Sequence, residues 1–425
     1  MIMIDSNIKK HFFSFLFYFI FFIFVSFFFV GRIYSYAGSI ILAFSLFHFA
    51  YLLLCNTKRR VIKNNIFDPF FVFLFGYGLI AVFSELYAGS ELSDFELHFK
   101  VLLACFIPLA CINLPIRFNN VFFIASSIMI LTSLSIALWQ HEVKDIDRVS
   151  VKGANAFADI VSFFGVMSLA AIWLVFNKKS KIIYSKSVKY LIFIIPIVLF
   201  ISSMYVTVLA ANRGSWISIP LILIVLSLVF FGFNIKKSIL SLFALFALIF
   251  LSYSVSDTIN LRVSQALNEI KLYSVGEGSG TSTGLRFEMW KFGIDSVADD
   301  LVLGLGVKGE REAKNNVSDE YNPNIKTFSH LHNEFINILV FNGIFALLFY
   351  LLWLGYLAHF FIRSFYLIKS PLALAGFLGV IHYFFVSLVN VKLSYNVGVY
   401  AFIIVFSFIY GMVRNELNAY IDRSC

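Results

Sequence analysis

Long apolar runs separated by short polar breaks fill almost the whole chain. Runs such as FFSFLFYFIFFIFVSFFFV show no alternation of polar and apolar positions, so they do not read as strands of a closed membrane barrel. Several reach the roughly 20 residues that an α-helix needs to cross a bilayer. The pattern predicts about twelve such helices, at 11–30, 39–55, 68–87, 100–116, 121–140, 156–176, 190–210, 216–233, 238–255, 332–356, 371–390 and 396–413. One long polar passage interrupts them. The chain is therefore read as spans one to nine (1–255), a large loop (256–331) and spans ten to twelve (332–425).

Within the loop, Val263, Leu267 and Ile270 recur at helical spacing, as do Leu285, Met289 and Phe292, which predicts two short amphipathic helices. VGEGSGTSTG between them reads as a linker. Gly309–Thr327 is polar and is expected to be mobile.

Composition agrees with a membrane protein. Of 425 residues, 60% are hydrophobic and 13% charged, against about a quarter charged in an average soluble protein. The first run follows Lys9 and Lys10 but lacks a small-x-small cleavage site, so it is expected to be a retained anchor. Cys55, Cys105, Cys111 and Cys425 show no CxxC spacing and imply no disulfide framework. The fold class expected is an all-α polytopic membrane protein with one long outer loop carrying short amphipathic helices.

Lysines and arginines gather in one set of loops, as at Lys58–Arg60 and Lys178–Lys181. The positive-inside rule makes that set cytoplasmic. Both termini are then inside and the long loop outside. The net charge of +9 follows from topology and gives no reason to expect nucleic acid as a partner.

Few residues stand out as chemistry. Arg213 lies in VLAANRGSWISIP, between two apolar runs. A charge near the membrane interior costs about 2.5–3.5 kcal/mol on insertion scales, so it calls for a partner or a function. Guanidinium binds phosphate oxygens in bidentate fashion, so an anion is its natural ligand; the alternative is an interfacial arginine reaching headgroups. Arg286 follows TSTG at the head of the second loop helix, where N–H groups also favour an anion, or it is a solvated loop arginine. Arg148 sits beside Asp145 and Asp147, where a local salt bridge is the simpler reading. His330 and His332 form HxH before Asn333 and Glu334. A helix N-terminus biases imidazole toward the neutral form that a general base requires. Capping is the alternative, and no third ligand at helical spacing supports a metal. Asp159, His48 and His382 lie within apolar runs, where helix–helix hydrogen bonding is favoured over a transport relay. Glu85 ends a span and is placed at the outer mouth. No Walker A, GxGxxG, HExxH or GxSxG occurs in a usable context, so no nucleotide or metal cofactor is expected.

The stretches DRVSVKGANA, ANRGSW, RVSQALNEI through GTSTGLRFEMWKFGI, and HLHNEFINILVFNG resemble, in this order, the O-antigen ligases of the wider O-antigen ligase/polymerase superfamily. The resemblance is specific between about Asp147 and Gly343. It implies an inner-membrane enzyme that takes a finished polysaccharide from undecaprenyl diphosphate. The acceptor is a sugar hydroxyl of lipid A–core oligosaccharide at the periplasmic face, and no cofactor is used. It further implies that Arg213 and Arg286 hold the diphosphate, with Arg148 as a further basic position. His332 is the implied base, with His330 beside it. Membrane lipids are the remaining partner. An O-antigen polymerase or a protein O-oligosaccharyltransferase would use the same donor. A lipid or polysaccharide flippase is the reading of another class, and it would place more charges within the spans.

Overall fold

A computed structural model of the protein describes residues 6–54, 67–111, 120–176, 185–232, 257–318 and 320–424, with 236, 239 and 243 standing alone. Every regular element among them is a helix. In chain order these are α1 (Ser6–Ser26), α2 (Ile33–Leu54), α3 (Pro69–Ala88), α4 (Glu96–Ala104), α5 (Ile107–Cys111), α6 (Asn120–Leu138), α7 (Ala154–Ser168) and α8 (Lys186–Leu209). They continue with α9 (Ile219–Phe231), α10 (Asp257–Ser274), α11 (Ser282–Ser296), α12 (Gly306–Asn315), α13 (Glu334–Ile368), α14 (Pro371–Ser387) and α15 (Val405–Ser424).

Among the described residues, eight helical segments are long and apolar enough to cross a membrane, and Ser14–Ser26 and Pro371–Ser387 are shorter apolar helices. The protein is therefore an all-helical, multi-pass membrane protein, as its sequence pattern predicts. The expected span at 238–255 lies outside the described residues. The expected span at 100–116 is corrected over its described part: it is two short helices, α4 and α5, broken at Cys105–Phe106. Pro108 accounts for the break. Its ring would clash with the carbonyl four residues back, and residue 104 is where α4 stops.

α3 lies along α13, and α7 packs against α8 and α14. The α7 and α15 spans are the most enclosed, with 78% and 94% of their windows buried, against roughly a third in most others. These two form the centre, and the rest present a side to lipid.

The loop segment builds a small second core from Met289, Phe292, Val297, Ile325 and Leu331, closed by Val340 and Phe341 of α13. α11 thus places the expected Leu285, Met289 and Phe292 in or against this core, although Ile294 on the same helix is exposed. α10 differs: Leu267 and Ile270 are 64% and 47% exposed, so its apolar stripe does not join this core. The expectation of a mobile Gly309–Thr327 is also corrected. α12 covers its first part and a 3₁₀ turn covers Pro323–Thr327. The passage is tied down at both ends. Val307 N–H donates to Glu85 Oε2 at 2.9 Å, and Lys314 Nζ donates to the Phe328 carbonyl at 2.7 Å while pairing with Glu310 inside the protein.

A backbone clamp locks the loop to α13. Leu305 N–H donates to the Val340 carbonyl at 2.8 Å, and Ile344 N–H to the Leu301 carbonyl at 2.9 Å. Ser84 Oγ of α3 donates to the Leu303 and Phe341 carbonyls. Gly343 has φ +79°, and a Cβ there would meet the Val302 carbonyl oxygen at 2.2 Å. Only glycine allows this approach. It kinks α13 beside the loop, and the kink holds the loop segment over the ends of the spans.

Candidate functional site

α8 ends at Leu209, and Ala211 in the left-handed region (φ 53°) turns the chain back. Asn212 caps the next turn by accepting from Gly214 N–H at 3.0 Å. Arg213 projects from that turn, and its Nη2 donates to Glu269 Oε1 of α10 at 3.4 Å. The same Glu269 accepts from the Thr283 N–H at 3.1 Å and from the Thr283 hydroxyl. Thr283 is in the first turn of α11, whose cap is Thr281. Burial raises the pKa of Glu269, but the Thr283 hydrogen bonds and the Arg213 charge together hold it below the ordinary carboxylate range. An internal carboxylate thus already occupies donors suited to an anion: a guanidinium and a helix N-terminus.

Arg286 stands on α11 just beyond. Burial lowers its pKa, as do the neighbouring charges of Arg213 and Arg148, while Asp159 and Glu269 act the other way. The structure therefore brings Arg213, Arg286 and Arg148 into one electrostatic neighbourhood. Arg148 does not form the local salt bridge that its sequence neighbours favour. Its Nε donates to the Ala210 carbonyl at 3.2 Å and its Nη2 to Asn155 Oδ1 at 2.9 Å. It braces the Arg213 turn from the side.

His330 and His332 meet this group from the other side. Asn333 caps α13, its Oδ1 accepting from Phe335 and Ile336 N–H at 3.0 and 3.2 Å. His332 is held in the left-handed region (φ 52°), which a non-glycine residue adopts at a cost. Its N–H donates to His330 Nδ1 at 3.2 Å, and the two rings stand edge to face at 4.2 Å. Burial, His330 and Arg286 lower the His332 pKa to about 3, and burial, Lys314, Lys392 and Arg286 lower that of His330 to about 4. Both imidazoles are neutral at pH 7. The Asn390 side chain faces His332 and acts the other way, favouring the protonated imidazole through a hydrogen bond.

Behind the cations lies a buried hub that sequence reasoning resolved only in part. Asp159 Oδ1 accepts from Asn212 Nδ2 at 2.8 Å and Ser215 Oγ at 2.7 Å. Its Oδ2 accepts from Asn390 Nδ2 at 3.0 Å and pairs with Lys392 Nζ. The expectation of helix–helix hydrogen bonds for Asp159 and His382 holds: Ser162 and Ser218 hydroxyls lie 3.0 and 2.6 Å from the two His382 ring nitrogens. Lys392, Asn390 and Glu269 were not singled out. The available signal for Lys392 was Asp159 itself, since a carboxylate within a span calls for an opposite charge.

Residues 197–351 match the family model described as "O-Antigen ligase". This segment runs from within α8 into α13 and contains Arg213, Arg286, His330 and His332. The match is consistent with the resemblance read from the sequence motifs, over the segment that holds these four candidate residues. The chain is also 24% identical over 322 residues to an "Uncharacterized protein" of Haemophilus influenzae, covering 73% of this chain and 75% of that one.

Breaking the Asp159–Lys392 pair leaves a buried charge uncompensated, which costs roughly 3–5 kcal/mol. Asp159→Asn or Lys392→Met is expected to lower the thermal midpoint of detergent-purified protein, and the double variant to recover most of the loss. Single variants with an unchanged midpoint would refute the supporting role. The histidines set a pH dependence. Their folded pKa values lie below the ordinary 6.5, so the unfolded chain binds more protons as pH falls from about 6.5 toward 4. The midpoint is expected to drop between pH 7.5 and 5, with a shallower drop in His332→Gln. An equal slope in both proteins contradicts the assignment.

Proposed function

We propose that the protein is a glycosyltransferase that ligates a polysaccharide from undecaprenyl diphosphate onto the lipid A–core oligosaccharide, as an O-antigen ligase. The observation that carries this reading is the convergence of two guanidiniums, Arg213 and Arg286, with two neutral imidazoles, the buried His332 and the half-buried His330. That pairing suits one kind of step. A diphosphate leaves and gains negative charge while a hydroxyl attacks and loses a proton. Preorganised cations in a partly desolvated site stabilise the departing charge. His332 accepts the proton, with His330 fixing its backbone. The anomeric C–O bond to the diphosphate breaks as the bond to the acceptor oxygen forms. Direct displacement inverts that centre.

Electrostatics links the two halves of the step. The charge of Arg286 is one reason the His332 pKa lies low. A bound diphosphate offsets that charge and raises the basicity of the imidazole. The donor therefore activates the base, and an empty site holds a poor one. Glu269 must yield Arg213 and Thr283 to the incoming phosphate, so donor binding is also an exchange of one anion for another.

The charge bias of the loops supports a site at the periplasmic face of the inner membrane, with both termini cytoplasmic. A periplasm-active reporter inserted after Val317 is expected to be active, and an inactive one reverses the orientation. For the reaction, Arg213→Ala and Arg286→Ala are each expected to reduce capped lipopolysaccharide on gels at least ~100-fold, on the scale of losing one transition-state donor, while the protein still accumulates in the membrane. His332→Ala is expected to be as severe and His330→Ala milder. Normal capping in an arginine variant rules the reading out. Core bearing a single repeat, in place of uncapped core with accumulated lipid-linked polymer, assigns the chain to the polymerases.

A further inference from the structure

A polar cavity is lined in part by Ser329 and Glu334, the residues that flank the His330–Asn333 segment in the chain. Its volume is about 240 Å³. That is below the roughly 300–1,000 Å³ of sites for drug-sized ligands, and it suits one ring better than an oligosaccharide. Ser329, Glu334 and Asn337, which bracket His332 in sequence, all face it. Across from them are Glu85 of α3 and His98 of α4.

The wall holds polar atoms with unused capacity. Glu85 is fully buried, and its Oε2 is used by Ser90 Oγ at 2.6 Å and Val307 N–H. Its Oε1 makes no hydrogen bond, with His98 Nε2 standing off at 3.5 Å. Asn342 is 3% exposed, and its Nδ2 donates to nothing. Asn337 Nδ2 donates to Ser394 Oγ at 3.0 Å, which leaves the Ser394 proton to be given elsewhere. Unmade bonds of this kind at buried groups cost about 1–3 kcal/mol each unless a ligand makes them. Between the polar atoms lie the Tyr77 ring and the side chains of Ile338 and Leu393.

The chemistry of the wall selects its guest. Among the described residues, Glu85, Asp94 and Glu334 line the cavity and no lysine or arginine does, which disfavours a phosphate or carboxylate. Among the described residues, no three histidine, cysteine or acidic groups are arranged to hold a metal ion. Carboxylate and amide atoms that accept and donate beside an aromatic ring and aliphatic carbons match a molecule with hydroxyls on its edge and C–H bonds on its faces.

We propose that this cavity is a sugar subsite, which holds one neutral polyhydroxylated ring between Glu85, Asn342 and Ser394, in a wall built partly from residues that flank His332 in the chain. Within the function proposed above, on which this identification of the guest rests, the ring is the acceptor residue whose hydroxyl is glycosylated.

The test is saturation-transfer NMR on the full chain in detergent, with methyl glycosides of glucose, galactose and a heptose as probes and inorganic pyrophosphate as the anionic control. The wild type is expected to bind at least one glycoside, with pyrophosphate failing to displace it. Asn342→Leu removes the free donor at nearly constant volume, and Leu97→Trp, from a half-buried position on α4, fills the cavity. Each is expected to weaken binding at least ~10-fold, whereas Arg213→Ala leaves it unchanged. Should Asn342→Leu fail to fold, Leu97→Trp decides. The proposal is overturned by no glycoside binding in the wild type, by binding that survives Leu97→Trp, or by displacement with pyrophosphate. Glycoside binding without any transfer to lipid A–core keeps the subsite and discards the ligase reading. Transfer without glycoside binding does the reverse.

Discussion

The Asp159 carboxylate is the constraint on which the proposed site depends. It is 1% exposed within α7, and both of its oxygens are occupied. Its partners come from two places: Asn212 and Ser215 from the turn that carries Arg213, and Asn390 and Lys392 from the segment after α14. Asn390 and Lys392 in turn border His332. Glu334 of α13 accepts the backbone N–H of both Lys392 and Leu393. A single buried acid thus fixes the positions of the arginine turn and, one step removed, the histidine segment. An isolated charge in the interior would be costly. Here its pairing and its three neutral donors offset that cost.

The second constraint is the attachment of the loop. A loop that contributes Arg286 and both histidines must keep them in register with Arg213. Glu85 at the head of α12, the carbonyl clamp at Leu303 and Phe341, and the Lys314 contact to Phe328 give three separate anchors. Donors held in place before substrate arrives cost no reorganisation at the moment of reaction. α10 is the exception. Its apolar stripe is exposed, and its Glu269 is bonded to Arg213 and α11. Of the loop elements, it is the one built to exchange its contacts.

What was legible in the sequence follows from the range of the interactions. Apolar periodicity is local, so the spans and α11 were readable from their own residues. Pro108 was legible in principle as a break, but the long apolar run around it masked the effect. The ordering of Gly309–Thr327 was not readable, because it rests on contacts to Glu85 and Phe328 and on a small core shared with α13. A polar composition reads as mobile until its partners are known. The same holds for the site. Arg213 was visible as a charge between two apolar runs. The partners of Asp159 lie 53 to 233 residues away, and no spacing rule reaches that far. The resemblance to a family added Arg286 and His332, which local sequence left even between function and solvent exposure. It offered nothing for Glu269 or Lys392.

Two groups of charged residues lie around the histidine segment, and in the proposed reaction they explain how a single site could sort two glycolipids. Arg213, Arg286 and Arg148 form one electrostatic neighbourhood, and Glu85, Asp94 and Glu334 line the polar cavity. In that reading a diphosphate is drawn to the first group and disfavoured by the second. A neutral sugar has no such preference and is retained where hydroxyl partners are free. Neither group needs to recognise the whole of a long polymer. The donor is defined by the group it leaves behind, and the acceptor by one ring and its hydroxyl. In the proposed reaction His332, held in a strained backbone conformation, is the base, and its basicity is lowered in part by the charge of Arg286. Proton removal then becomes favourable only when a donor diphosphate offsets that charge and an acceptor hydroxyl is present. Without a bound donor the imidazole stays a weak base, and an acceptor that arrives first has no group ready to take its proton.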